Sequence, residues 1–422
     1  MILKFLINFV GVALSKASSF FFIMWASYYL SASEFIAFSL NYTFYLLIIA
    51  VGTSGLFELL VAESSKGSEK KLTNSEVYLR FSYILPYLFL TALVFYYINP
   101  NAINLELIFT TFFCGVISSL TVNLATKERL LEKHTESQIL LIKSSMFGYL
   151  FGIVLYLIFK SLLCVWVGIL VGQVLAVSKN IVECIKYNQK IKKINNYKEK
   201  IQEISPYYII CVLTWLSGYG INFILFKILS GKDVAEYTKI ITIVSLFQIV
   251  SISLNQVWVP IQIKINKNEL LKLNSNRNYY ISMAVMFGIL SLLITSSLSS
   301  EAVRNLQINS LNINYDYIFL AASAYIFMIP SWNVQNYFFI NKASMLFMNV
   351  NIFSSIFGIL IWTILIIYLG ELGVYIGIII YNFLRAALLS FVAYKYWKVE
   401  SYINFTTIIF GIVILIKNFL LN

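Results

Sequence analysis

The chain has 422 residues, 59% of them hydrophobic and only 12% charged, and its mean hydropathy is +0.80. A soluble domain cannot carry that much apolar surface without exposing it, so the composition specifies a polytopic membrane protein. The formal net charge of +12 does not mark a nucleic-acid surface, because the basic residues fall in short segments between apolar runs of about 20 residues, the length that crosses a bilayer core.

In chain order the apolar runs lie near 5–29, 36–61, 77–98, 103–126, 138–160, 162–183, 206–229, 234–263, 279–299, 315–340, 343–369 and 373–394. Irregular backbone cannot be satisfied in lipid and the alternation of barrel strands is absent, so all twelve are predicted to be helices. The first run is too long for the apolar core of a signal peptide and is predicted to stay as a membrane helix. A last run, 404–421, contains Lys417 and is read either as a thirteenth span or as an interfacial helix. Pro206 suits a helix start, whereas Pro260 and Pro330 fall inside spans and predict kinks.

The charge of alternate loops tests this count. One set holds Lys66, Lys70 and Lys71, then Lys127, Arg129 and Lys133, then a lysine-rich stretch from Lys179 to Lys200, then Lys264 to Arg277, Lys342, Lys395 and Lys398. The opposite set holds Lys160, Lys232 and Arg304. By the positive-inside rule the first set and the N-terminus are cytoplasmic.

One short phrase occurs twice. Leu30-Ser31-Ala32-Ser33-Glu34-Phe35 joins the first two runs, and Leu229-Ser230-Gly231-Lys232-Asp233-Val234 joins the seventh and eighth, an offset of 199 residues from 34 to 233. Glu34 and Asp233 are placed as helix-start carboxylates that satisfy free amides. With the basic stretch 185–205 as a cytoplasmic linker, the chain divides into six-helix lobes at 1–184 and 206–398, followed by the apolar segment 399–422. Six is even, so both lobes enter the membrane in the same direction and form a parallel repeat.

No enzyme constellation is present. His134 is the single histidine and sits in a charged loop, no lysine lies in a glycine-rich phosphate loop, and the outer loops are too short to hold a polymerase or ligase site. Cys114, Cys164, Cys184 and Cys211 show no metal-binding or disulfide spacing, so no metal site is expected. The chemistry lies instead in ionisable residues at membrane depth, each costing roughly 2.5–3.5 kcal/mol near a helix centre unless it faces a polar interior. Lys16 is midway along the first run and Arg385 midway along the twelfth; Glu58 lies toward the inner end of the second and Lys239 toward the outer end of the eighth. Arg80, Lys143 and Lys227 are close enough to helix ends to snorkel. Amides within spans, among them Asn41, Gln173, Asn222, Asn255, Asn333 and Asn336, supply either interhelical hydrogen bonds or contacts to sugar hydroxyls. Tyr219, between Gly218 and Gly220, is a candidate ring for stacking on a sugar, with the glycines allowing close packing or bending.

These residues resemble a known family. The Leu30-Ser31-Ala32-Ser33-Glu34-Phe35 turn after a helix with a buried lysine, the run Trp215-Leu216-Ser217 to Val234-Ala235-Glu236-Tyr237, and Pro260 are similar to motifs of the Wzx-type flippases, the polysaccharide-exporter branch of the MOP superfamily. The resemblance implies a two-lobed, V-shaped bundle around a cationic cavity. It also implies transfer of an undecaprenyl-pyrophosphate-linked oligosaccharide from the inner to the outer leaflet of the bacterial cytoplasmic (inner) membrane by alternating access. Lys16, Arg385, Lys239, Asn41, Tyr219 and Asn255 would then face the substrate and Glu58 would couple a proton or sodium ion, with no bound cofactor. The implied partners are the lipid-linked oligosaccharide, membrane lipids and the polysaccharide polymerase with its chain-length machinery, and no nucleic acid. Asn222 departs from the acidic residue of many members. Two alternatives share the superfamily: a multidrug or cation antiporter of the MATE branch, for which an acidic cavity is expected, and a lipid II flippase, for which fourteen helices are expected.

Overall fold

A computed structural model describes residues 2–53, 74–98, 104–131, 133–186, 197–216, 220–245, 276–281, 315–341 and 343–400, with isolated positions between 249 and 262. Among the described residues twelve helices have defined bounds. They are α1 (Ile2–Tyr29), α2 (Ala32–Thr53), α3 (Asn74–Ile98), α4 (Leu105–Leu130), α5 (His134–Phe159), α6 (Leu162–Lys186), α7 (Tyr197–Leu216), α8 (Ile221–Ile228), α9 (Gly231–Val244), α10 (Tyr315–Ile340), α11 (Ser344–Leu369) and α12 (Glu371–Trp397). Seven are long and apolar enough to cross a membrane, and the pair Ser205–Leu216 and Ile221–Ile228, bent by 43°, makes an eighth if counted as one span. The all-helical, polytopic fold expected from composition is the fold observed. The segment 404–421 lies outside the described residues.

Lipid exposure explains where the apolar residues sit. α11 carries Phe353, Phe357, Leu360, Ile364 and Ile367 on its outer side, all more than 48% exposed, as suits a face turned to acyl chains. Tyr28, Tyr29, Tyr96 and Tyr97, at the ends of α1 and α3, are exposed in the manner of an interfacial belt.

The chain forms two compact units, Ile2–Thr238 and Lys239–Asn422, dividing inside α9 and not at the basic linker. In the first, α5 and α6 form the tightest hairpin, and α1 packs on α5 while α2 packs on α4. Gly168 and Gly172 make the hairpin possible, because a Cβ on either would meet the backbone of Phe151–Gly152 or Phe147–Gly148. α7 and α8 also pack here, against α2 and α3. In the second unit α12 packs on both α10 and α11, with Gly373 against the backbone of Leu365.

A second repeat becomes visible in these elements. α4, α5 and α6 start at 105, 134 and 162; α10, α11 and α12 start at 315, 344 and 371, offsets of 210, 210 and 209. The hydrogen bonds of the turns repeat as well: Lys133 N donates to Glu128 O at 2.9 Å and Ala343 N to Phe338 O at 2.8 Å. Lys160 and Gly370 both take positive φ, 52° and 59°, to end their helices. With these frames aligned, Ser144-Ser145-Met146-Phe147-Gly148 matches Ser354-Ser355-Ile356-Phe357-Gly358.

Two expectations change. α2 begins at Ala32, before residue 36, because Ser31 caps it. Pro206 is inside α7 and does not start it: the helix begins at Tyr197, within the stretch assigned to the linker. The proline removes the donor that Gln202 O would have used, and Ser205 Oγ donates to that carbonyl at 3.0 Å, which is how the helix runs through it. Pro330 is inside α10 as expected, and Pro260 lies outside the described residues.

Candidate functional site

Within Ile2–Thr238, Lys16 lies half-buried on α1, on the stripe that also holds Val12, Ser19 and Ile23. One turn above it Ser19 Oγ and Tyr149 Oη share a hydrogen bond of 3.1 Å, and Phe22 stacks on Tyr149 with ring centroids 4.5 Å apart. Beyond Tyr149, Tyr45 Oη is hydrogen-bonded to Ser118 Oγ at 2.7 Å and accepts from Gln173 Nε2 at 3.0 Å. The interior beside Lys16 is therefore a buried cluster of phenols, hydroxyls and one amide, drawn from α1, α2, α4, α5 and α6.

Asn41 is fully buried between α2 and α4. Its amide donates to Ala37 O at 2.9 Å, and its oxygen accepts from Thr111 Oγ1 at 3.5 Å. Its hydrogen-bonding groups are engaged inside the helix pair. Asn222 on α8 is also fully buried: its Nδ2 donates to Thr43 Oγ1 on α2 at 2.9 Å and to Thr238 Oγ1 on α9 at 3.2 Å.

Within Lys239–Asn422, Arg385 on α12 is 5% exposed, and its Nε donates to Asn351 Oδ1 on α11 at 2.9 Å. Asn351 is held for this by its own Nδ2, which donates to Phe347 O one turn back at 2.7 Å. No carboxylate lies within ion-pair range of Arg385 among the described residues. A guanidinium has five N–H donors, and the bond to Asn351 uses one of them.

Asn255 belongs to a second polar group of the same unit. Asn336 Nδ2 donates to Asn255 Oδ1 at 3.0 Å and to Gln262 Oε1 at 2.7 Å; Gln262 donates to Asn333, Asn333 to Asn276 at 3.4 Å, and Tyr337 Oη to Asn276 at 2.9 Å. This is a chain of five amides ending on a phenol, with Asn333 and Asn336 fully buried. Lys239, half-buried on α9, opens the unit. Tyr219 and Glu58 lie outside the described residues.

The structure thus joins Asn255 to Asn336 and Arg385 to Asn351, and it places Lys16 and Arg385 in different units. Sequence reasoning missed Asn351, Gln262, Asn276 and Thr43. Asn351 had a signal, an amide in a helix with no charged residue; Thr43 had none, because threonine in a span ordinarily bonds its own helix.

The course of the helices is shared with solved transporters. A crystal structure of MATE in complex with MaD3S matches with a TM-score of 0.66 and 14% identity, over 93% of this chain and 94% of that one. The fold is that of MATE transporters. A second MATE-fold structure, a MOP superfamily transporter from Pyrococcus furiosus for which reverse polarity of the binding pocket suggests a different function, matches with a TM-score of 0.63 and 12% identity over 94% and 95% of the chains. An inward-facing multidrug resistance MATE family transporter matches at 0.60 and 12% over 91% and 94%. No protein-family model and no curated protein matches the chain. The fold expected of the chain is thereby observed, and none of these structures shows the Wzx-type branch.

Proposed function

We propose that this chain moves an anionic, lipid-linked oligosaccharide from one leaflet to the other, with the saccharide headed for an O-antigen-like or capsular polysaccharide. The observation that carries the reading is the sign of the charge at depth. Within the seven described spans every carboxylate, Glu34, Glu106, Glu128, Glu136 and Glu371, sits in the first or last turns of its helix, whereas the charged residues farther in that are at least half-buried are Lys16 and Arg385, Lys143 being exposed. A buried guanidinium with no carboxylate partner among the described residues is a costly arrangement that an anionic phosphate group would compensate. Amides and phenols suit the hydroxyls of the glycan, and the lipid tail remains in the bilayer. Cation–substrate antiport is the second reading, favoured by the fold shared with multidrug MATE transporters.

The readings separate at Arg385. In a host whose own flippase is deleted and whose surface glycan depends on this chain, Arg385→Ala is expected to lower surface glycan about tenfold or more while membrane insertion is retained. Arg385→Lys, which keeps charge without the fork, is expected to recover part of it. Full surface glycan in Arg385→Ala would overturn the role of Arg385 in holding the anion; a wild-type chain that restores no surface glycan but exports ethidium would overturn the flippase reading in favour of the antiporter.

A further inference from the structure

The two copies of the phrase meet in space. A Cβ on Gly231, in the second copy, would lie 2.8 Å from Ile36 Cδ1 and 3.5 Å from Ile36 Cγ1 and Cγ2, just past the first copy. Ala235 packs against the cluster that contains Phe35 and Phe38. Two turns farther along α2, two hydrogen bonds from later helices reach Thr43, and a third ties one of the donors to α9. Trp215 Nε1 donates to Thr43 O at 3.0 Å, Asn222 Nδ2 donates to Thr43 Oγ1, and the same Nδ2 reaches Thr238 Oγ1 on α9. All of these residues belong to the unit Ile2–Thr238.

The chemistry of this junction suits a contact that forms and parts. Thr43 Oγ1 already donates to Ser39 O at 2.8 Å and Thr238 Oγ1 to Val234 O at 2.8 Å, so each hydroxyl keeps a partner inside its own helix if Asn222 leaves. Thr43 O is a helix carbonyl whose second lone pair serves Trp215, and it too loses nothing from its own helix. Asn222 Oδ1 is buried without a partner, so the joined state is not one in which every group is satisfied. The glycine at 231 lets the second phrase approach Ile36 more closely than a side chain would permit.

We infer that Thr43, Asn222 and Trp215, with the Ile36–Gly231 contact, form a latch that holds the two repeats together on the phrase-bearing side. The latch must release before that side can open. The inference rests on the transport reading but not on which substrate is carried.

The test uses the full chain with Cys114, Cys164, Cys184 and Cys211 replaced by alanine, a protease site placed in 187–196, and the pair Ile36→Cys and Gly231→Cys. In nanodiscs, mild oxidation is expected to join the pair, so that the two proteolytic fragments stay together until reduced. In cells the joined form is expected to lose surface glycan assembly and to regain it on reduction. A pair that does not join overturns the contact; a joined form that works at the full rate overturns the latch. A second variant reads the junction without any transport assay. With Ala235→Cys as the single thiol, Asn222→Ala is expected to speed labelling by a polar maleimide roughly threefold, the equivalent of one average interhelical hydrogen bond. An unchanged rate would count against Asn222. If the chain restores no surface glycan while the pair joins and Asn222→Ala speeds labelling as stated, the substrate reading fails and the latch stands, with ethidium efflux as its functional readout.

Discussion

At the residue scale, glycine and arginine make the strongest demands. The Gly168 Cα faces the backbone of Gly152 so closely that an added methyl group would lie 2.6 Å from Gly152 Cα and N. Neither backbone can rotate away, so Gly168→Ala is expected to separate α5 from α6 and to cost about 1–3 kcal/mol, read as a lower Tm in detergent. Gly370 makes a different demand. Its φ of 59° is combined with a ψ of −133°, outside the left-handed helical region that asparagine tolerates, so Gly370→Asn is expected to cost about 1–3 kcal/mol and to lower the Tm although nothing lies within 4 Å of an added Cβ. Lys16 and Arg385 were legible in the sequence because a charge inside a long apolar run is conspicuous by composition alone. Asn41 was legible as a polar residue in a span, but its engagement with Thr111 across seventy residues of chain depends on the register of α2 against α4.

At the element scale, the repeated phrase is a pair of capping boxes. Ser31 N donates to Glu34 Oε2 at 3.0 Å while Glu34 N donates to Ser31 Oγ at 3.3 Å; Ser230 N donates to Asp233 Oδ2 at 2.8 Å while Asp233 N donates to Ser230 Oγ at 3.4 Å. The expectation that these carboxylates serve helix starts holds, with the serine as the cap and the carboxylate at the third helical position. Ser31→Ala and Ser230→Ala are each expected to cost about 1 kcal/mol, and threonine at either site to restore most of it, as measured by denaturation of the purified protein. The second repeat, Ser-Ser-x-Phe-Gly at 144–148 and 354–358, escaped notice because its offset of 210 differs from the 199 of the phrase. Loops of unequal length between the repeats break a single frame into two.

At the scale of the whole molecule, the two-repeat reading predicts sidedness. Ser33 and Lys232 are both exposed. In the cysteine-free background, Ser33→Cys and Lys232→Cys are expected to react with an impermeant thiol reagent from the same side of the membrane. Labelling from opposite sides would refute a parallel repeat. The compact units divide inside α9 because α7 and α8 pack on α2 and α3.

The sequence by itself determined the helical class, the position of most spans, the paired helix starts and the place of Lys16 and Arg385 along their helices. All of these follow from local hydropathy, local charge and the short-range geometry of a helix N-terminus. Only the tertiary structure decided that Arg385 meets Asn351, that Asn255 joins a chain of amides, and that Asn222 bridges Thr43 and Thr238. The reason is physical. A polar group in a membrane helix gains from almost any partner, so its identity says that it will be paired but not with what, and the partner is set by the rotation and register of helices far apart in the chain.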